Sequence, residues 1–337
     1  MGMARTPHPS DTVAASSTTR LIVFSVIALC SGWIGLLVDN ALGIPHSMEA
    51  PGTLIWIMTP LLTGAVMALG DPSLRRPYAA SWRPGRLRAY GVALGVFPLS
   101  FAVAVAIGWA AGWLTPAGLG AFGGVVAASA AGTVAKNVAE EGAWRGYLAP
   151  ALIGRKLSDP WVWLISGTIW SLWHIPYYVW FLDEALIRSV YDVPPIVYAL
   201  MTVPIMICWA PLFTELRILS GSIWPGLIAH SIANLSQIPL SMGGLPIAPG
   251  RDLLVSPLVG VIPNAVVLAA GLGLWARRGG RPPGPTGPGR CAPRGRPSRC
   301  GPPAPGTTGP AQARRRSTAP PRPGSSCVRR TRRPGRW

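Results

Sequence analysis

Three apolar stretches carry side chains that hydrocarbon excludes. The first reads Lys136-Asn137-Val138-Ala139-Glu140-Glu141-Gly142-Ala143-Trp144-Arg145-Gly146-Tyr147-Leu148. The second holds His174 in Trp170-Ser171-Leu172-Trp173-His174-Ile175-Pro176, and the third holds His230 and Asn234 in His230-Ser231-Ile232-Ala233-Asn234. An ionisable group near the bilayer centre costs roughly 2.5–3.5 kcal/mol on insertion scales, so its presence needs a reason. A carboxylate beside an imidazole, shielded from bulk water, can hold and deprotonate one water molecule. A second imidazole and an amide on one face can donate hydrogen bonds to an oxyanion forming on an attacked carbonyl. Together these groups describe amide hydrolysis. A proton or cation relay would also use intramembrane Glu and His, and Glu140 with Lys136 would suit a proton-coupled transporter. A relay has no special need for an Asn four residues from a His.

Helical spacing sorts these residues further. His230 and Asn234 share a face, and Glu141 and Arg145, also four apart, can pair. Glu140 is turned about 100° from Glu141, which leaves it free to face a cavity. For Glu141 with Arg145 the bland alternative is a buried ion pair that only fixes packing.

The elements that must position these groups are membrane spans of roughly 20 apolar residues each. Eight candidates are read, at 21–43, 52–70, 89–113, 121–153, 160–182, 194–215, 221–241 and 253–276. The first is too long for a cleaved signal peptide and lacks a small-x-small exit. The fourth exceeds one straight crossing, and its Gly/Ala-rich start (118–132) can form a separate interfacial or re-entrant piece, so the count runs from seven to nine. Helix rise places Glu140, His174 and Asn234 about 20 Å deep and His230 about 14 Å deep, in one layer. Cytoplasmic loops are enriched in Lys and Arg. With a cytoplasmic N-terminus, the inside segments hold Arg5, Arg20, Arg75, Arg76, Arg83, Arg86, Arg88, Arg155, Lys156 and Arg217, whereas the outside loops hold only Arg188 and Arg251. Both termini are then cytoplasmic.

Composition fits an all-α polytopic membrane protein. Of 337 residues, 50% are hydrophobic and 12% charged, half the charged share of an ordinary soluble domain, and mean hydropathy is +0.37. The net charge of +18 describes a tail: residues 277–337 contain 16 arginines and no acid. Residues 1–276 are close to neutral and could not attract a polyanion, so no specific nucleic-acid partner is expected; the partners are the lipid bilayer and a membrane-associated protein or peptide. The five cysteines form neither a CxxC pair nor a disulfide framework, and the C-terminal Arg-Pro-Gly-Arg-Trp is not a prenylation box. The chain divides into a cytoplasmic segment 1–20, a membrane domain 21–276 with its motif core at about 120–240, and a disordered Arg/Pro/Gly-rich tail 277–337. That tail reads as a solvated basic segment touching anionic headgroups, as an out-of-frame translation of GC-rich DNA, or as a nucleic-acid-binding tail.

Taken together, Glu140-Glu141-x-x-x-Arg145, an aromatic residue four before His174, and His230-x-x-x-Asn234 resemble the three motifs of the CAAX protease and bacteriocin-processing family. This family is also called CPBP or Abi and includes the type II CAAX prenyl endopeptidases. The resemblance covers about residues 120–240, with one departure: Trp170 stands where the family usually has Phe. It implies an eight-helix intramembrane endopeptidase open to the cytoplasmic side. Glu140 and His174 would activate water, His230 and Asn234 would form the oxyanion hole, and Glu141 and Arg145 would support the geometry. No cofactor is implied, since a glutamate-activated water needs no metal and no HExxH occurs; the alternative is zinc on Glu140, His174 and His230. Serine, aspartyl and site-2-type intramembrane proteases fit less well, because Gly-x-Ser-Gly, a pair of mid-span aspartates and HExxH are all missing from the sequence. The competing function classes are a non-proteolytic membrane scaffold or bacteriocin self-immunity factor, and the transporter above. Prenyl specificity is not carried over, because the composition weakly suggests a bacterial plasma membrane. Trp144, Tyr147, Trp173, Tyr177, Tyr178 and Trp180 are candidates to line a substrate groove, though aromatic belts at span ends explain several of them equally well.

Overall fold

The computed structural model describes residues 9–115, 122–240 and 244–279. The chain falls into two units, 1–286 and 287–337, and every described residue belongs to the first. The expected disordered tail lies outside the described residues from 280 onward.

The described part is all-α apart from an isolated bridge, Leu114 to Ile247. Its helices are α1 Pro9–Leu42, α2 Pro51–Leu69, α3 Pro72–Ser81, α4 Arg88–Ala110, α5 Phe122–Glu141, α6 Ala149–Gly154, α7 Asp159–Trp173, α8 Glu184–Val190, α9 Pro195–Ser220, α10 Trp224–Pro239, α11 Asp252–Val255 and α12 Val261–Arg277. Two π-helical segments, Gly142–Leu148 and Tyr177–Phe181, sit among them. Proline stands in the first turn of α2, α3, α7, α9 and α10, where its missing N–H costs nothing. Gly221 ends α9 with a left-handed φ of 72°, the conformation a side chain resists.

Among the described residues, four helices are long and apolar enough to cross a membrane: Thr18–Leu42 within α1, α2, α4 and α9. The protein is therefore an integral membrane protein with several spanning helices. Leu37, Leu54, Val66 and Leu99 on the first three point outward, each more than half exposed. The remaining expected spans take other forms. Residues 122–154 make one continuous helical run, α5 through the π segment to α6. The stretch 160–182 breaks after the 15-residue α7, and α10 and α12 have 16 and 17 residues. The polar groups of interest sit in these shorter or interrupted elements.

Close approach between helices depends on small residues. A Cβ on Gly167 would lie 2.8 Å from Ile207 Cα, and one on Gly271 2.5 Å from the Leu212 nitrogen, so α7 and α12 both press against the α9 backbone. Helix α10 packs against α5 and α4, and α2 packs on the first π segment. The start of α10 is tied down by Ile223 N–H to the Ser81 carbonyl at 2.9 Å and by Trp224 Nε1 to the Trp82 carbonyl at 2.8 Å. Those bonds fix the height of His230 against α5.

Candidate active site

Adjacent glutamates at the end of α5 take opposite partners. Each pairs with a cation one helical turn away, Lys136 before Glu140 and Arg145 after Glu141. Lys136 Nζ donates to Glu140 Oε1, and Arg145 Nη1 donates to Glu141 Oε1 at 2.9 Å. Both carboxylates are at most 1% exposed, and an unpaired charge there would be very costly. The two pairs bring the buried charge to zero. Arg145 lies in the π segment, whose wide turn closes with Ala149 N–H on the Trp144 carbonyl; such turns recur at functional sites. Gly142 lets this segment approach α2, since a Cβ would meet Leu61 at 2.5 Å.

His174 is placed by the way α7 ends. Pro176 has no N–H to continue the ladder, and the His174 N–H bonds back three residues to the Ser171 carbonyl at 2.9 Å. The Trp170 carbonyl is thereby released, and His174 Nδ1 lies 2.8 Å from it. A carbonyl only accepts, so Nδ1 carries the hydrogen and Nε2 keeps its lone pair. That Nε2 is 3.8 Å from Glu140 Oε2, beyond a direct hydrogen bond and within reach of one bridging water. Trp170 Nε1 donates to the same oxygen at 2.7 Å.

Helix α10 brings His230 to Glu141 instead of Glu140, with Nδ1 3.1 Å from Glu141 Oε1. Asn234 Nδ2 donates to Asn137 Oδ1 at 3.1 Å, and Asn137 Nδ2 donates to Ser231 Oγ at 3.1 Å. Asn137 and Ser231 thus join α5 to α10 beside the two glutamates. Both occur in the quoted motifs without being singled out, and the signal available was their polarity within an apolar run.

A cavity of about 200 Å³ opens here, its wall including Lys136, Trp170, His174, His230 and Asn234. Glu140 lies just behind Lys136, Trp170 and His174. The wall also includes the apolar side chains of Leu182, Leu186, Ile187, Val190 and Met206. Of the aromatic residues proposed for a groove, Tyr177 and Tyr178 line this cavity. Trp144, Tyr147 and Trp173 are instead core residues, each at most 2% exposed. Trp173 stacks on Trp56 at 4.2 Å and meets Trp144 edge-on at 5.4 Å. Trp180 packs on Trp33, and both rings remain partly exposed.

Zinc on Glu140, His174 and His230 does not fit this arrangement. The Lys136 ammonium and the Trp170 N–H already occupy the Glu140 oxygens, and His230 turns Nδ1 toward Glu141. Among the described residues, no group of three or more His, Cys, Asp or Glu side chains is placed to hold a metal ion.

Residues 122–236 match the model of a family described as Rce1-like, type II CAAX prenyl endopeptidase. That segment begins with α5 and ends three residues before the end of α10, so it spans Glu140, Glu141, Arg145, His174, His230 and Asn234. A comparison with curated proteins gave no match.

Proposed function

We propose intramembrane endoproteolysis of a membrane-associated protein or peptide for this chain, whose residues 122–236 match the model described as type II CAAX prenyl endopeptidase. The reading rests above all on Glu140 Oε2 and His174 Nε2 lying 3.8 Å apart in a buried position beside a cavity. A water between them gives one proton to this pair as its oxygen attacks the scissile carbonyl. The C–N bond then breaks, and the same proton passes to the leaving amine. Charge on the attacked carbonyl oxygen is met by His230 and Asn234. With Nδ1–H on Glu141, His230 can donate from Nε2 only with a second proton there, and that added positive charge meets the negative charge of the oxyanion itself. Arg145 holds Glu141 in place, and the apolar side chains in the cavity wall suit a hydrocarbon-rich segment next to the cleaved bond.

We further propose eight crossings. The run through α5 and α6, interrupted α7, α10 and α12 would supply four beyond those that length and composition establish. Cytoplasmic termini, a basic tail against anionic headgroups, and a site reached from the cytoplasmic side of a bacterial plasma membrane belong to the same reading.

New protein termini in host membranes should be compared between wild type and Glu140→Ala at equal levels of folded protein. A set of termini missing from the variant is expected. Identical termini would overturn the peptidase reading, and a protective phenotype that survives Glu140→Ala and His174→Ala would favour a scaffold or immunity role.

A further inference from the structure

We propose that Trp170 is a positioning residue for water activation, a role that rests on the peptidase reading. It is 1% exposed, and different groups of this one residue meet four members of the site. Its indole N–H donates to Glu140 Oε2 at 2.7 Å. Its main-chain carbonyl accepts from His174 Nδ1 at 2.8 Å. Its ring lies 4.1 Å from the Arg145 guanidinium and meets the His230 ring edge-on at 5.3 Å.

The first two contacts act on the same water. The carbonyl commits His174 to the tautomer whose Nε2 is an acceptor, and the indole fixes the direction of the Glu140 carboxylate. A water between Oε2 and Nε2 therefore faces two acceptors and must donate to both. Its hydrogens are pinned, and its own lone pairs point away from Glu140 and His174. That is the orientation a nucleophilic water needs toward a carbonyl in the cavity. A phenylalanine at this position would keep the ring contacts and the carbonyl but could not donate to Glu140. The indole N–H is thus the separable part of the device.

The test compares Trp170→Phe with replacement of Trp170 by benzothienylalanine, which has the shape of tryptophan with sulfur in place of N–H. Activity is read in proteoliposomes on an internally quenched peptide spanning a cleavage site found by the comparison of termini between wild type and Glu140→Ala. Both variants should lose about 10- to 100-fold in kcat, the range for a hydrogen bond to a charged group, with KM within about twofold. The isostere should stay folded at the assay temperature, its melting point lowered only by the loss of this one hydrogen bond. Wild-type kcat in the isostere would overturn the proposal, because packing alone would then explain Trp170.

A readout that needs no turnover uses indole-¹⁵N labelling of the 15 tryptophans. The resonance lost in Trp170→Phe should move in Glu140→Ala, and a resonance that stays in place would refute the hydrogen bond. Failure of wild type to cleave the peptide, with that resonance still moving, would instead overturn the peptidase reading and the positioning role with it.

Discussion

Glu141 Oε1 lies 3.1 Å from His230 Nδ1 and 2.9 Å from Arg145 Nη1. The second glutamate therefore joins α10 to the π segment, while the first faces His174. Removing one member of a buried ion pair typically costs about 3–5 kcal/mol, because it strands the other charge. Glu141→Leu and Arg145→Leu should each destabilise the protein by about that much, and the double variant by clearly less than the sum. Denaturant unfolding in micelles, arranged as a double-mutant cycle, measures the coupling.

Lys136 and Glu140 should behave in the same way. Lys136→Met leaves a carboxylate that is 1% exposed without its cation, so the melting temperature should fall. Adding Glu140→Gln in that background should recover part of the loss. A double variant less stable than Lys136→Met alone would show that the pair does not balance charge.

Two glycines receive the same methyl group with opposite consequences. A Cβ at Gly226 would lie 2.6 Å from Glu141 Oε2, whereas one at Gly273 meets nothing within 4 Å. Gly226→Ala should cost about 1–3 kcal/mol by overpacking and displace Glu141 from His230. Gly273→Ala, in α12, should be neutral or stabilise by up to about 1 kcal/mol through helix propensity. Melting curves of the two variants check the contrast.

The apolar helices could be read from sequence because length and hydropathy suffice for them. α1, α2, α4 and α9 overlap four of the eight expected spans. Where polar residues enter, the one-dimensional pattern weakens. The break at His174 depends on Pro176 and on a three-residue backbone bond, and the wide turn at Gly142–Leu148 has no periodic signature. Helix α3 fell in an expected loop, although Asp71 before Pro72 and Ser73 is a cap signal and Asp71 accepts from Ser73 N–H at 2.9 Å. Within the site, the four-residue spacing of Glu141 and Arg145 was visible on one helix. The partner of His230 was not, because it depends on how α10 is rotated against α5. The Trp170 donor was hidden for another reason: treating it as one more aromatic residue ignores its N–H.

Asp71, outside the spans, should give an acid-dependent stability. Partial burial pushes its carboxyl up, but the Ser73 hydrogen bonds and the Arg20 guanidinium outweigh that and hold it below its ordinary value of 3.8. A lowered folded-state value means that the contribution is complete above about pH 4 and is lost as pH falls through the folded value. Asp71→Ala should cost about 1 kcal/mol near neutral pH, as lost helix caps do, and the gap to wild type should close in acid. Melting temperatures of both proteins between pH 7 and pH 3 check the sign.

The most direct measurement is the cleavage rate of purified, reconstituted Glu140→Gln beside wild type, on one quenched membrane peptide and with matched melting curves. A loss of about 10²- to 10⁴-fold, the usual contribution of a positioned general base, is predicted. A folded Glu140→Gln protein that cleaves at the wild-type rate would contradict the assignment of Glu140 as the residue that activates water.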